Sequence, residues 1–220
     1  RTDRKEEREF WTLMHKRLLE KNANGVRPVD VGPVVMGFRV NTSKTGENLY
    51  QTLVYDKGAF ILHSLEMLYW SNQYGDAPFK QAMHDLVSSY SNKPASTEDF
   101  KAVMERHMPP WLDVDRNHRL DWFFNAYVYG TAIPKYSVTG VFTNKGDETE
   151  VHFKLSQAEV PSDFKMLVPL YLQSEDHHVI LLGRAMMIGT TTVEQTVKLG
   201  KLSSAPKQLL VNYDFDLLAE

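Results

Sequence analysis

The chain has 220 residues, 42% of them hydrophobic and 24% charged, with a formal net charge of −3. That is enough chain for two modest domains or one large one, and the near-neutral balance leaves neither a basic footprint for nucleic acid nor a strong acidic field. Cysteine is absent, which excludes disulfide frameworks and cysteine-ligated zinc without fixing a compartment; no apolar run approaches the ~18–20 residues of a membrane span, and the greasiest stretch, Val179 to Ile188, is broken by Gly183 and Arg184.

The chain opens Arg1-Thr2-Asp3-Arg4-Lys5, with no initiator methionine or signal peptide, and reads as a piece of something longer. Phe10, Met14 and Leu18 recur at fourfold spacing beside Trp11, which predicts an amphipathic helix over residues 1–21 ending at Asn22-Ala23-Asn24-Gly25. Residues 26–48 scatter Pro28, Gly32, Pro33, Gly37 and Gly46 among short apolar pairs, the pattern of loop and short strand, with Arg39 as the prominent charge.

From Leu49 to Tyr69 the pattern is helical, with Leu62, Leu65, Leu68 and Tyr69 on one stripe. Near its head lies Val54-Tyr55-Asp56-Lys57-Gly58-Ala59. A glycine inside a helix costs roughly 1 kcal/mol against alanine, so Gly58 marks either close packing of another element or a functional approach. Tyr55 reads either as a half-buried aromatic whose hydroxyl finds a partner or as a functional phenol. Asp56 and Lys57 read as helix-surface or local ion-pair residues.

Asp76 is placed to cap a helix carrying Phe79, Met83, Leu86, Val87 and Tyr90 on one face, with Pro78 in its first turn. Ser96 and Asp99 resemble a capping box for a helix presenting Phe100, Val103, Met104 and His107. After Pro109-Pro110 a short helix is predicted from Leu120 to Tyr129, stopped by Gly130 and Pro134.

Beyond Pro134 the period falls to two. Val151, Phe153 and Leu155 alternate with polar neighbours after an Asn144-Lys145-Gly146-Asp147 turn, and Phe164, Met166, Val168, Leu170 and Leu172 alternate with Pro169 among them, suggesting an edge or bulge. Further strands fit 178–188, 191–199 and 207–213. The fold class is therefore α+β in two domains, a helical one over 1–133 and an antiparallel β-sandwich over 134–220.

The constellations that carry chemistry are sparse. Asp113 to Asp121 resembles the start of a calcium loop, but loop positions six and twelve hold His118 and Phe124 where the sharp-turn glycine and bidentate glutamate belong. The eight histidines include no His-Glu-x-x-His pair. His63 and Glu66 share a helix face yet supply two ligands where three are needed, and His177-His178 reads as the start of a strand. No Gly-rich phosphate loop, Gly-x-Ser-x-Gly elbow or nucleophilic cysteine occurs.

The order of the pieces is similar to that of the aminopeptidase N family of gluzincin metallopeptidases. Val54-Tyr55-Asp56-Lys57-Gly58-Ala59 resembles that family's Tyr-x-Lys-Gly-Ala element, and Gly75-Asp76-Ala77-Pro78-Phe79 its Gly-Asp-x-x-Phe helix start. Ser96-Thr97-Glu98-Asp99-Phe100 resembles its Thr-x-Asp-Phe helix, while Leu120-Asp121-Trp122-Phe123-Phe124, Tyr129-Gly130-Thr131 and Ile133-Pro134 resemble its exit from the catalytic domain. A β-sandwich follows there too.

The resemblance implies the helical C-terminal part of a thermolysin-like catalytic domain followed by a sandwich, from a zinc-dependent peptidase that removes N-terminal residues from peptides. The family's zinc motif and its third ligand lie upstream of all these elements, so the parent protein is expected to bind zinc and this segment none, and the segment alone to be inactive. By the resemblance Tyr55 stabilises the oxyanion of the transition state, and Arg39 is a candidate for the substrate cleft. A helical face stripped of its other half would self-associate. Two further readings stand beside this one: a non-catalytic interaction or scaffold module from a degenerate peptidase, and an independent adhesion or carbohydrate-binding sandwich.

Overall fold

Helix gives way to strand where the hydrophobic period changes. The structure, a computed structural model, describes residues 4–46, 48–146 and 148–220; the first three residues of the predicted N-terminal helix, and Asp147 of the predicted turn, lie outside the described residues. In chain order come α1 (Arg4–Leu19), α2 (Lys57–Tyr69), α3 (Ala77–Tyr90), α4 (Thr97–Arg106) and α5 (Asp121–Tyr127). The strands follow as β1 (Lys135–Lys145), β2 (Glu148–Ala158), β3 (Lys165–Ser174), β4 (Val179–Ile188), β5 (Thr191–Gly200) and β6 (Pro206–Val211). The architecture is mixed helix and sheet.

Several local signals act as their chemistry dictates. Ser96 caps α4, its hydroxyl accepting from the Asp99 amide while the Asp99 carboxylate accepts from the Ser96 amide, a complete capping box. Asp76 precedes α3 but makes no side-chain cap; its backbone (φ −94°, ψ 8°) lies outside the extended conformation a capping side chain needs, and its carboxylate pairs with Lys80 at 3.0 Å instead. Residues 26–48 hold short 3₁₀ turns, Pro28–Asp30 and Val34–Val40, and no strand among the described residues. Prolines and glycines spaced this closely break a ladder but suit tight turns.

Three predicted apolar faces need correction. Phe10 of α1, Leu62 of α2 and Val87 of α3 are exposed, whereas Met14, Leu18, Leu65, Leu68 and Tyr69 are buried. The α2 stripe is instead Lys57, Phe60, Ile61, Ser64, Leu65 and Leu68, at the i, i+3, i+4, i+7 spacing of one helix face.

The strands form two three-stranded antiparallel sheets, β1-β2-β5 and β4-β3-β6. Val151, Phe153 and Leu155 point inward, as their alternation predicts, while outward-facing His152 and Lys154 both reach Glu194 on β5, at 2.7 and 3.2 Å. The sheets close face to face: a Cβ on Gly140 of β1 would stand 2.7 Å from a Leu209 methyl on β6, so a larger residue there would have to push the Leu209 side chain aside. β3 is a central strand, buried on both faces. Pro169 is tolerated because it stands at the end of the β6 ladder, which starts at Leu170: the Asn212 amide still donates to the Pro169 carbonyl at 3.3 Å, no N–H is needed in return, and a register shift follows between Leu170 and Tyr171.

One hydrophobic cluster runs from Leu18, Phe60 and Leu65 through Met104, Phe123 and Tyr127 into Val151, Met166, Val168 and Leu209. The C-terminal residues seal the helices to the sheets. The Tyr127 hydroxyl donates to the Leu218 carbonyl at 2.9 Å, His15 bonds the Ala219 carbonyl at 2.6 Å, and Arg8 donates to the Tyr213 carbonyl at 2.7 Å. A second, smaller cluster of Val40, Leu49 and Leu53, with Val31, Met36 and Tyr50 against it, sits apart beneath the turns that enter α2.

Candidate functional site

The chain does not enter α2 as a regular helix. Residues Gln51–Asp56 form a π turn, closed where the Lys57 amide donates to the Thr52 carbonyl five residues back and to Val54. One residue more per turn rotates the side chains out of α-helical phase. Leu53, Asp56 and Lys57 therefore point inward and Tyr55 points out, 55% exposed. The phenol is about half exposed, and its hydroxyl has a partner in Tyr50.

Tyr55 rests on an aromatic platform. Its ring meets Tyr50 edge-on at 5.5 Å, and Tyr50 stacks on Phe38 at 3.9 Å with the planes 12° apart. Burial, then the neighbouring Tyr55 hydroxyl, pushes the Tyr50 phenol above its ordinary range. The smaller hydrophobic cluster supports this platform from below, since Tyr50 packs against Leu49 and Leu53.

Phe38 reaches the platform because Gly37 takes a left-handed conformation (φ 58°, ψ −136°) that breaks the 3₁₀ stretch just before it. Arg39 follows Phe38 in the chain, but only Tyr55 of the two predicted site residues touches the aromatic stack. The Arg39 guanidinium folds back on its own turn, Nε donating to the Met36 carbonyl at 3.1 Å and Nη2 to Val35 at 3.5 Å.

Asp56 and Lys57 are not surface residues. Asp56 is buried and faces Arg17 of α1 at 3.1 Å; burial raises its carboxyl pKa and Arg17 opposes the rise. Its ion pair is real but spans two helices. Lys57 is fully buried and its Nζ donates to the Gly130 carbonyl at 3.1 Å, burial lowering its pKa to about 8. Gly58 is not a close-packing site either: a Cβ there would meet nothing within 4 Å.

The segments whose order carries the family resemblance touch one another. Lys57 bonds Gly130, the Tyr129 hydroxyl donates to Glu98, and Lys101 pairs with Asp121. Tyr129 is pushed up to about 12, by burial first and then by Glu98.

Among the described residues no group of three or more His, Cys, Asp or Glu is placed to hold a metal. His63 is buried and stacks on Trp11, with centroids 4.1 Å apart. His177 lies in a left-handed turn (φ 66°) just ahead of β4 rather than in the strand. The Asp113 carboxylate is occupied by the amides of Asn117 and His118, each at 2.9 Å, and Asp115 pairs with Lys165 at 2.6 Å, so this loop joins helices to sandwich.

Sequence reasoning missed Phe38, Tyr50 and the burial of Lys57. The first two carry no local signal. Lys57 did: it stands three and four residues before Phe60 and Ile61, on the apolar stripe. No protein-family model matches the chain, and no curated protein matches it.

Proposed function

We propose that the chain is the C-terminal part of a zinc-dependent, aminopeptidase-like metallopeptidase, with Tyr55 as the hydrogen-bond donor to the oxyanion that forms on the scissile carbonyl of a peptide substrate. The observation that carries this reading is the Tyr55 phenol itself, exposed on a π turn whose Leu53 and Asp56 are buried. Exposure lets the hydroxyl reach a ligand, and the stack of Tyr50 on Phe38 limits where it can go. A preorganised donor of this kind contributes roughly 3–4 kcal/mol to a transition state. The resemblance supplies the reaction class.

Arg39, next to Phe38 in the chain, would meet the peptide only by leaving the carbonyls of Met36 and Val35. In this reading the resemblance assigns the metal to upstream residues of the parent protein, and the segment alone neither binds zinc nor hydrolyses peptides. The helical layer offers exposed apolar side chains, Phe10 and Leu13 on α1 among them, through which the segment self-associates; sedimentation at rising concentration reads this directly.

The test uses the parent protein with its upstream residues. Zinc content and cleavage of aminoacyl chromogenic substrates are measured beside Tyr55→Phe, which should lower kcat roughly 10²- to 10³-fold. Turnover indifferent to the substitution removes Tyr55 from the mechanism. Absence of both zinc and turnover favours a non-catalytic interaction module, for which the exposed Phe38 ring would be the binding surface.

A further inference from the structure

We infer that Lys57 is a positioning residue, the group that fixes the π turn and thereby the Tyr55 hydroxyl; this rests on the reading of Tyr55 as oxyanion donor. Lys57 is the joint between the π turn and the helix. Its amide closes the turn onto Thr52 and Val54, and its side chain runs the opposite way, through the core, to the Gly130 carbonyl at 3.1 Å.

The side chain is an odd choice for packing. It occupies a core position of the α2 stripe with no exposure, and among the described residues it has no carboxylate within ion-pair distance. Leucine or methionine would fill the same space without desolvating an ammonium group. What only lysine supplies is a donor at the end of a long stem, and that donor ends on the segment leaving α5.

The preceding residue makes a second tether. Asp56 ties the same turn to Arg17 on α1 at 3.1 Å. A π turn is an uncommon local geometry, persisting where the surroundings over-determine it. Here two buried side chains of opposite charge, aimed at different elements, hold it. A donor to an oxyanion has to stay within about 0.5 Å of its productive place, and Tyr55 gets that constraint from the residues that follow it.

The experiment compares the 220-residue chain with its Lys57→Met variant, which keeps the stem and removes the donor. Amide exchange over Gln51–Asp56 should speed up about 10- to 100-fold while the thermal midpoint holds or rises, and in the zinc-loaded parent kcat should fall by a similar factor with KM nearly unchanged. Unchanged exchange in the turn overturns the proposal. So does a fall in midpoint with faster exchange throughout α2, which would make Lys57 a packing residue.

A measurement on the native chain stands independently of how the variant folds: the Lys57 ammonium, observed by ¹⁵N NMR, should exchange its protons far more slowly than exposed lysines, and exchange as fast as theirs would refute the bond to Gly130. Failure of the peptidase reading is separately visible. If Tyr55→Phe leaves kcat untouched, the oxyanion role falls, whereas the exchange comparison still decides whether Lys57 holds the turn.

Discussion

Lys57 and Lys101 are both buried, one beyond each end of α5, and the two sites treat the charge differently. Lys101 lies between carboxylates: it pairs with Asp121 at the start of α5, has Glu105 at 3.9 Å, and sits 5.7 Å from the face of Phe124. Lys57, past the other end, has a single neutral carbonyl. A buried cation with counter-charges is a structural bracket, weak as net stabilisation but costly to break from one side. One without counter-charge destabilises the protein where it stands, and its presence beside an exposed tyrosine argues for a geometric role.

The widest separation between the two sites is in their response to pH. The Lys57 pKa falls from 10.5 to about 8 on folding, so between these values the unfolded chain binds the extra proton and stability rises with pH. The rise should approach about 3 kcal/mol by pH 10, and denaturant titrations from pH 7.5 to 10 should show it in the native chain and not in Lys57→Met. A slope shared by both proteins would mean Lys57 is not the group responsible.

Asp121 has the opposite sign. Arg119, then Lys101, hold its carboxyl down at about 2, so its contribution is present above pH 4 and disappears as the pH falls toward 2. Cutting the bracket itself is a next-largest effect: Lys101→Met should lower stability by about 2–3 kcal/mol at pH 7, because Glu105 and Asp121 lose a shared partner. A loss no larger than that of Lys57→Met would erase the distinction.

Smaller substitutions sharpen it. Ser96→Ala removes the capping box of the helix that carries Lys101 and should cost about 1 kcal/mol by chemical denaturation. Gly58→Ala, one residue after Lys57, should stabilise by about 0.5–1 kcal/mol, since the added methyl meets no atom within 4 Å and the helix loses a glycine. Destabilisation there would restore the close-packing interpretation of Gly58.

Much of this molecule was legible where a residue's neighbours in sequence are also its neighbours in space. The capping box needs only residues 96–99, and the alternation of Val151, Phe153 and Leu155 follows from the two-residue repeat of a half-buried strand. Pro169 was legible in part: it marks a place where pairing fails on one side, but the strand around it is central, which only the termination of β6 explains.

The candidate site was less legible. The sequence singled out Tyr55 by itself; the aromatic stack beneath it was not legible. Phe38 and Tyr50 are twelve positions apart in a segment without periodicity, and their stacking depends on a left-handed Gly37. Lys57 was misread because a charged residue at the head of a helix ordinarily faces water, although its spacing to Phe60 and Ile61 already placed it inward.

By itself the sequence determined the run of helices before Pro134, the strands after it and the Ser96 capping box, because propensity, capping and hydrophobic period act over a few residues. The tertiary structure decided which groups meet. The buried Asp56 and Lys57 side chains beside the π turn meet Arg17 and Gly130, 39 and 73 positions away, and no local pattern encodes a contact whose two halves lie that far apart.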